Sequence, residues 1–283
     1  MRPKDGPSVR NLTPLLPLPT GQTPSGLAKL GQEKVLLIDV YGTLVISAAG
    51  DRPSAGDDGS QDLILDLLQR FGIPGTPDQV WVWLQEAIEK EHTHLRRQGI
   101  EYPEIDILEI WQTVLDMDDP SQLKAFAREY EMATNPIYPM PGLVEMLQSC
   151  RKRELVLGIV SNGQFYTADL LELLLEDSLD ACGFDPQLTL FSYQFRRAKP
   201  SVYMFDIAVR RLRDRGISPA SILYVGNDMR NDMIPARAVG FQTALFAGDR
   251  RSLRWRSDDA CCRNVSPDVV ITDLRQLIPH GRI

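Results

Sequence analysis

A single aspartate, Asp39, ends the apolar segment KVLLID, and Gly42 and Thr43 follow within four residues. A continuous apolar run of this kind is typical of a strand that is covered on both faces. A carboxylate at the end of such a strand can act as a nucleophile, because a covalent intermediate divides one difficult displacement into two easier steps. The segment therefore predicts a turn directly after a buried strand, with a carboxylate at the strand end that is a candidate for chemistry.

Three more polar groups stand where other predicted elements begin or end. Ser161 and Asn162 follow the strand LVLGIV, Asn227 and Asp228 follow the strand SILYVG, and Lys199 precedes the helix PSVYMFDIAVRRLRDRG. In open α/β sheets, ligands bind outside the carboxyl ends of the strands. Each group alone has an ordinary structural explanation, but the four together predict one site.

The elements that must position these residues alternate between strand and helix from about residue 154 onward, which predicts a parallel sheet with helices on both faces. The stretch 62–130 has helical periodicity and capping signals only, including Thr76 before Pro77. We predict an α/β fold: a Rossmann-like three-layer core (31–46 and 136–283) with an inserted α-helical cap (47–135). Residues 1–30, rich in Pro, Gly, Ser and Thr, are predicted to be a disordered or loosely attached tail, and the loop 47–60 to be a hinge or a mobile segment.

The four groups resemble the motifs of the haloacid dehalogenase superfamily of hydrolases. DVYGTL is similar to its first motif, VSNG to its second, RRAKP to its third and VGNDMRNDMIPARAVG to its acidic fourth. The resemblance covers about residues 34–46 and 139–278, and the helical insert lies where the commonest cap subclass of this superfamily is placed.

The resemblance implies a role for each catalytic candidate. Asp39 is the nucleophile, and Thr43 and Ser161 donate hydrogen bonds to the group being transferred. Backbone amides near Tyr41 and Asn162 add to this cradle. Lys199 offsets the charge of a site crowded with carboxylates.

A metal site is also implied, and its ligands are oxygens of the kind that Mg²⁺ prefers. The candidate ligands are Asp39, the backbone carbonyl of Tyr41, Asp228, Asp232 and Asn227. Asn227 stands where many members have their first acidic residue, so the choice between Asn227 and Asp228 stays open.

Tyr41 departs from the pattern of the superfamily's phosphatases, in which the second residue after the nucleophile is an aspartate that protonates the leaving oxygen. General acid–base catalysis contributes about 10²–10⁴-fold, and a phenol with a reference pKa near about 10 is a poor replacement. The superfamily's 2-haloacid dehalogenases share Asp-x-Tyr-Gly-Thr, and halide leaves without a proton. Those enzymes use no metal and receive the halide with a cap arginine, for which Arg96 and Arg97 are candidates here.

Three functions follow. The favoured prediction is a Mg²⁺-dependent phosphatase that forms an aspartyl-phosphate on a small metabolite and prefers good leaving groups. The alternatives are a metal-independent 2-haloacid dehalogenase-like hydrolase and a catalytically idle member that binds a ligand.

Composition limits the partners and the location. The net charge of −7 argues against nucleic acid as a partner, and no run of about 18 apolar residues is present, so no membrane partner is expected. The prolines near the start break up its leucines, unlike a secretory signal. Four cysteines without a CxxC spacing are typical of free thiols in the cytoplasm. The favoured phosphatase prediction leaves a small, phosphorylated substrate as the expected partner.

Overall fold

The fold is described from a computed structural model, which defines residues 15–48 and 58–278. A six-stranded parallel sheet forms its centre, with the strand order β5-β4-β1-β6-β7-β8. Its strands are β1 (Val35–Ile38), β4 (Val156–Ser161), β5 (Phe184–Phe191), β6 (Ile222–Gly226), β7 (Gln242–Phe246) and β8 (Val269–Ile271).

Strand β1 lies in the middle of the sheet, where Val35 pairs in register with Val156 of β4 and with Ile222 of β6. All four residues of β1 are buried. Because both faces of a parallel sheet are covered by helices, its strands are apolar throughout rather than alternating. The apolar run before Asp39 is explained by this position.

Four helices cover the two faces of the sheet: α5 (Leu143–Lys152), α6 (Tyr166–Leu175), α7 (Tyr203–Arg213) and α8 (Ile234–Ala238). Leu36 and Ile38 of β1 belong to the apolar cluster that includes α5 and α6. Val35 and Leu37 belong to the cluster that includes α7 and α8. The predicted three-layer α/β core is confirmed. A single 3₁₀ turn, Leu274–Leu277, follows β8.

The inserted segment folds as four helices: α1 (Asp58–Arg70), α2 (Pro77–Arg97), α3 (Ile107–Leu115) and α4 (Pro120–Thr134). Thr76 begins α2 with a capping box, as predicted from the sequence. The core of this cap is aromatic, since the ring of Trp111 lies 5.0 Å from that of Phe126 and 4.8 Å from that of Tyr130. Most of the predicted loop 47–60 lies outside the described residues.

Two short strands join the cap to the core. Strands β2 (Val45–Ser47) and β3 (Ile137–Pro139) pair antiparallel, at the two places where the chain enters and leaves the cap. The hydroxyl of Ser47 donates to the side-chain oxygen of Asn135 over 2.7 Å. This ribbon was not predicted, and it lies beside the site described below.

Residues 15–30 differ from the predicted loose tail, and residues 1–14 lie outside the described part. The Leu18 amide donates to the Asp249 carboxylate over 3.0 Å, and the Thr20 hydroxyl donates to the carbonyl of Ala247. Ser25 exchanges two backbone hydrogen bonds with Val270 of β8. The segment thus covers an edge of the sheet, whose unpaired backbone groups need partners.

Among the helices of the described residues, none combines the length and the apolar character that a membrane crossing requires.

Candidate active site

Asp39 follows β1 directly, and its backbone amide continues the sheet with a 2.9 Å bond to the carbonyl of Val225. The chain then turns at Gly42, which has a φ of 80°. A Cβ at this glycine would lie 2.4 Å from Ser252 and 2.5 Å from the side chain of Asn227. Gly42 is therefore required both by its backbone conformation and by the close approach of its neighbours.

Lys199 joins two carboxylates beneath the site. Its ammonium donates to Asp39 over 2.7 Å and to Asp232 over 2.6 Å, and all three side chains are at most 8% exposed. It also contacts the hydroxyl of Tyr224 over 3.0 Å. Burial alone lowers the pKa of Lys199, but the charges of Asp232 and Asp39 more than offset this and raise it. The two carboxylates thus stabilise the charged form of Lys199 beside Asp39.

Asp232 has partners on both carboxylate oxygens. One oxygen accepts from Lys199 and from the Tyr224 hydroxyl over 3.0 Å. The other accepts from the backbone amides of Asn227 and Asp228, over 3.0 and 2.9 Å. Burial raises the pKa of Asp232 to about 6 despite the charge of Lys199. Its bonds hold Lys199 and the loop after β6 in place.

The Asp228 carboxylate is bound by Arg256, although Asp228 also lines the cavity that contains Asp39. The guanidinium binds both carboxylate oxygens, with a shortest distance of 2.6 Å. The same carboxylate accepts from the amides of Arg230 and Asn231 at the start of the next turn. Asn227 instead points its side-chain oxygen toward the hydroxyl of Thr43, 3.4 Å away. Of these two neighbours, Asn227 is the one oriented toward the Asp39 turn.

Asn162 connects the second and third motifs. Its side-chain oxygen accepts from the Lys199 amide over 2.7 Å, and its side-chain nitrogen donates to the Lys199 carbonyl over 3.3 Å. Ser161 and Thr43 are completely buried, and neither lines the cavity next to Asp39. Their predicted contacts with a transferred group stay predictions.

The cavity above Asp39 has a volume of about 360 Å³ and lies between the core and the cap. Its described lining is polar or charged apart from Gly163 and the two tyrosines. The residues are Asp39, Tyr41, Ser47, Glu104, Glu131, Asn135, Asn162, Gly163, Gln164, Tyr166, Lys199, Asn227, Asp228, Asn231 and Asp232. Lys199 is the one basic residue among these. The cavity is therefore polar and acidic, and it contains the predicted nucleophile.

Arg96 and Arg97, the predicted halide-binding candidates, are not part of this lining. Arg96 is exposed and donates to Glu89 over 3.1 Å on the same helix. Arg97 is exposed as well. The cap instead contributes two carboxylates, Glu104 and Glu131, to the cavity wall.

Tyr41 directs its hydroxyl toward the hydroxyl of Thr167, 3.1 Å away. Burial raises the pKa of Tyr41 above its ordinary value, and the nearby charges of Glu131 and Asp39 raise it further. A phenol is already a weak acid, and this one is weaker still. We therefore do not expect Tyr41 to act as the proton donor that the second aspartate provides in the superfamily's phosphatases.

Gln164, directly after the second motif, connects the catalytic loop to the cap. Its side-chain oxygen accepts from the Ile107 amide over 2.9 Å, and its nitrogen donates to the carbonyl of Ile105 over 3.1 Å and to Glu104 over 3.3 Å. Glu104 also accepts from the Ser192 hydroxyl over 2.6 Å. Burial raises the pKa of Glu104. These bonds hold the start of α3 against the core.

We expect Gln164→Ala to loosen this contact between cap and core. Each lost hydrogen bond weakens the contact by about 0.5–1.5 kcal/mol, so hydrogen exchange of the Ile107 amide should speed up by about tenfold. Mass spectrometry of peptides that contain residues 104–108 measures this rate. Gln85→Ala, on cap helix α2, is the matched control. Unchanged exchange in Gln164→Ala would show that other contacts hold the cap.

Several site residues carry no signal that sequence reasoning found. Tyr224 interrupts the aliphatic strand SILYVG, and this is the one available hint of its buried hydrogen bonds. Glu104, Glu131 and Gln164 are ordinary residues of helices and loops, and the fold alone places them at the cavity. Arg256 lies 28 residues after its partner Asp228.

The predicted nucleophile Asp39 after β1, Lys199 beneath it and the inserted cap together indicate a hydrolase of the haloacid dehalogenase type. The family model of haloacid dehalogenase-like hydrolases matches residues 33–240, and the chain belongs to this family. The predicted family is thereby confirmed.

Three solved structures illustrate the shared fold. A 2-haloacid dehalogenase from Pseudomonas syringae pv. tomato DC3000 is 17% identical, with a TM-score of 0.55, over 87% of this chain and 96% of that one. The defluorinating L-2-haloacid dehalogenase Rha0230 is 17% identical, with a TM-score of 0.51, over 94% and 98%. A HAD phosphatase from Thermococcus onnurineus is 20% identical, with a TM-score of 0.50, over 86% and 95%. At these identities the likeness describes the fold, and both activities occur among the relatives. No curated protein matches the chain.

Proposed function

We propose that this hydrolase is a Mg²⁺-dependent phosphatase that forms an aspartyl-phosphate on Asp39. The observation that supports this most is the acidic cavity, in which Lys199 is the one basic residue of the described lining. A leaving halide would meet the carboxylates of Glu104 and Glu131 there. A phosphate group is also an anion, but it brings Mg²⁺ with it, because this ion binds substrate phosphates together with one or two protein carboxylates.

The residues next to Asp39 fit a Mg²⁺ ion in a smaller set than the sequence predicts. Lys199 occupies one oxygen of Asp39, so the other oxygen, the Tyr41 carbonyl and the side-chain oxygen of Asn227 are the proposed ligands. We leave Asp228 and Asp232 out of this set, since Arg256, Lys199 and backbone amides hold their carboxylates. When bound, Mg²⁺ would neutralise charge on the phosphoryl group.

The chain's own residues account for the two steps. An oxygen of Asp39 attacks phosphorus, the bond from phosphorus to the leaving oxygen breaks, and that oxygen departs with its electron pair. Water then attacks the same phosphorus, the bond from phosphorus to the Asp39 oxygen breaks with its electron pair returning to the carboxylate, and the protons of the water leave with the released phosphate or pass to solvent. Lys199 reduces the repulsion between Asp39 and the incoming anion. Because Tyr41 supplies no proton, acyl and aryl phosphates should react faster than alkyl phosphates.

The test is phosphate release from acetyl phosphate, p-nitrophenyl phosphate and glycerol phosphate, each with Mg²⁺ and again with EDTA. We expect release from the first two substrates in Mg²⁺, and at least a hundredfold less in EDTA or in Asp39→Asn. Equal rates on glycerol phosphate would contradict the proposed role of Tyr41. Release that persists in EDTA would contradict the role of the metal.

A second candidate is metal-independent displacement of halide from a 2-haloacid. It is favoured by Tyr41, which matches the dehalogenase motif. It is also favoured by the hydrogen bonds that Asp228 and Asp232 already make to Arg256, Lys199 and backbone amides. Among the described residues, Asp39 is then the one carboxylate of the predicted metal set with a single bonded partner, Lys199. Here an oxygen of Asp39 would attack carbon and release halide. Chloride release from 2-chloropropionate in EDTA, abolished by Asp39→Asn, would support this candidate. Ligand binding without any turnover would instead support an idle member of the family.

The four cysteines are all free thiols, which agrees with a reducing compartment. We therefore also propose a cytoplasmic location. The small, phosphorylated substrate follows from the proposed phosphatase function.

A further inference from the structure

Glu131 of cap helix α4 lines the same cavity as the nucleophile. Its carboxylate accepts from the Tyr166 hydroxyl over 3.0 Å and from the side-chain nitrogen of Asn135 over 2.9 Å. Both Glu131 and Asp39 lie near enough to Tyr41 for their charges to raise its pKa. The two donors fix the direction of the Glu131 carboxylate at the cavity wall.

The other carboxylates of the described wall have basic neighbours, whereas no basic side chain within residues 15–48 and 58–278 forms an ion pair with Glu131. Lys199 binds Asp39 and Asp232, and Arg256 binds Asp228. The charge of Arg196 acts on Glu104. The described neighbours that act on Glu131 are Asn135 and Tyr166, both neutral, and burial raises its pKa. A carboxylate removed from water is stable as an anion only when a counter-charge or several donors compensate it.

A cation on the substrate would provide this counter-charge. A hydroxyl would add one hydrogen bond, whereas an ammonium adds a charge-assisted bond, which is roughly twice as strong. A second anionic group on the substrate would be repelled by Glu131 and by Glu104. The cavity of about 360 Å³ has room for a small molecule with both a phosphate and an amine.

We propose that Glu131 is a specificity-determining residue that binds an ammonium group on the part of the substrate remote from the phosphate. This inference rests on the proposed phosphatase function only in assigning a phosphate group to the substrate. The contact between Glu131 and an ammonium group does not depend on that function. It assigns the substrate to the class of small amine-bearing phosphate esters or acyl phosphates.

Binding measurements separate this inference from the reaction. Isothermal titration calorimetry of Asp39→Asn with Mg²⁺ uses phenyl phosphates that carry aminomethyl, hydroxymethyl, methyl or carboxymethyl at the para position. We expect the aminomethyl compound to bind at least tenfold more tightly than the methyl compound, and the carboxymethyl compound to bind most weakly. In the double variant Asp39→Asn, Glu131→Gln, the preference for the aminomethyl compound should be lost. In the control Asp39→Asn, Glu86→Gln, which changes an exposed cap residue, the preference for the aminomethyl compound should remain.

The outcomes distinguish the two proposals. A preference that persists in Glu131→Gln, or equal binding of the hydroxymethyl and aminomethyl compounds, overturns the inference even if phosphate is released. The phosphate-free compound 4-hydroxybenzylamine is titrated in parallel. If it binds in a Glu131-dependent manner while no phosphate is bound or released, the inference stands and the phosphatase proposal fails. If Glu131→Gln does not fold by circular dichroism, Glu131→Asp serves instead, with an expected drop in preference to less than threefold.

Discussion

Lys199→Met is expected to destabilise the fold by about 3–5 kcal/mol, because removing one partner of a buried ion pair leaves the other charge uncompensated. Here two charges are left, since Lys199 is the shared partner of Asp39 and Asp232. Hydrolysis should fall by about 10²–10³-fold, the effect of losing one preorganised donor near the reacting group. Urea unfolding followed by circular dichroism measures the first effect, and phosphate release from acetyl phosphate measures the second.

The loss of stability in Lys199→Met should depend on pH. The pKa of Asp232 is raised to about 6 in the folded protein even beside Lys199, and removing the lysine takes away a charge that lowers it. A group whose pKa is higher in the folded state takes up protons on folding, so a lower pH favours folding. The variant should therefore lose less stability, relative to the wild type, at pH 5.5 than at pH 8.

Lys152→Met is the matched control, because Lys152 is exposed on α5. It should change the free energy of unfolding by less than about 0.5 kcal/mol. If Lys199→Met were as stable as this control at pH 8, the described ion pairs would contribute little, and the position of Asp39 would need another explanation.

The sequence allowed the polar edge of the core sheet to be predicted because each of its parts is local. Asp39, Asn162 and Asn227 each follow an apolar strand within one or two residues. Parallel strands bring their carboxyl ends to one edge, so strand assignment alone places these residues together. The cap was also predictable in outline, because helical periodicity and caps such as Thr76 are local signals.

The partners of the carboxylates could not be predicted in this way. Asp228 was predicted to be a metal candidate because acidic residues in the fourth motif have that role in the family. Its pairing with Arg256 depends on a loop 28 residues later, whose path no periodicity describes. The cavity face of Glu131 likewise depends on how the cap rests on the core. Tertiary contacts between distant segments are what one sequence alone leaves undetermined.

Residues 15–30, the described part of the N-terminal segment, show the same limit. Pro, Gly, Ser and Thr indicate a lack of helix or strand, and residues 15–30 contain just one short 3₁₀ turn and one isolated bridge. They are nevertheless attached, since Leu18 and Thr20 bond to residues near 249 and 247. Composition predicts regular structure better than it predicts attachment.

Tyr41→Asp is expected to raise the rate on alkyl phosphates by about a hundredfold, within the range of about 10²–10⁴ that general acid–base catalysis contributes. The substitution places a carboxyl group two residues after the predicted nucleophile, in the wall of the cavity that Tyr41 lines. That group can protonate the leaving oxygen and then activate water. The rate on acetyl phosphate should change by less than about threefold, because its leaving group needs no proton. Phosphate release from glycerol phosphate and acetyl phosphate measures both effects.

Tyr41→Phe separates this gain from the loss of the phenol. It removes the hydroxyl that contacts Thr167 and keeps the ring. Since the raised pKa of Tyr41 makes it a poor proton donor, the rates of this variant should stay within about threefold of the wild type on both substrates. A tenfold loss in Tyr41→Phe would mean that the phenol acts in the reaction. A gain in Tyr41→Asp confined to alkyl phosphates would show that position 41 limits the chemistry, because loss of packing or a better-bound metal would change both substrates alike.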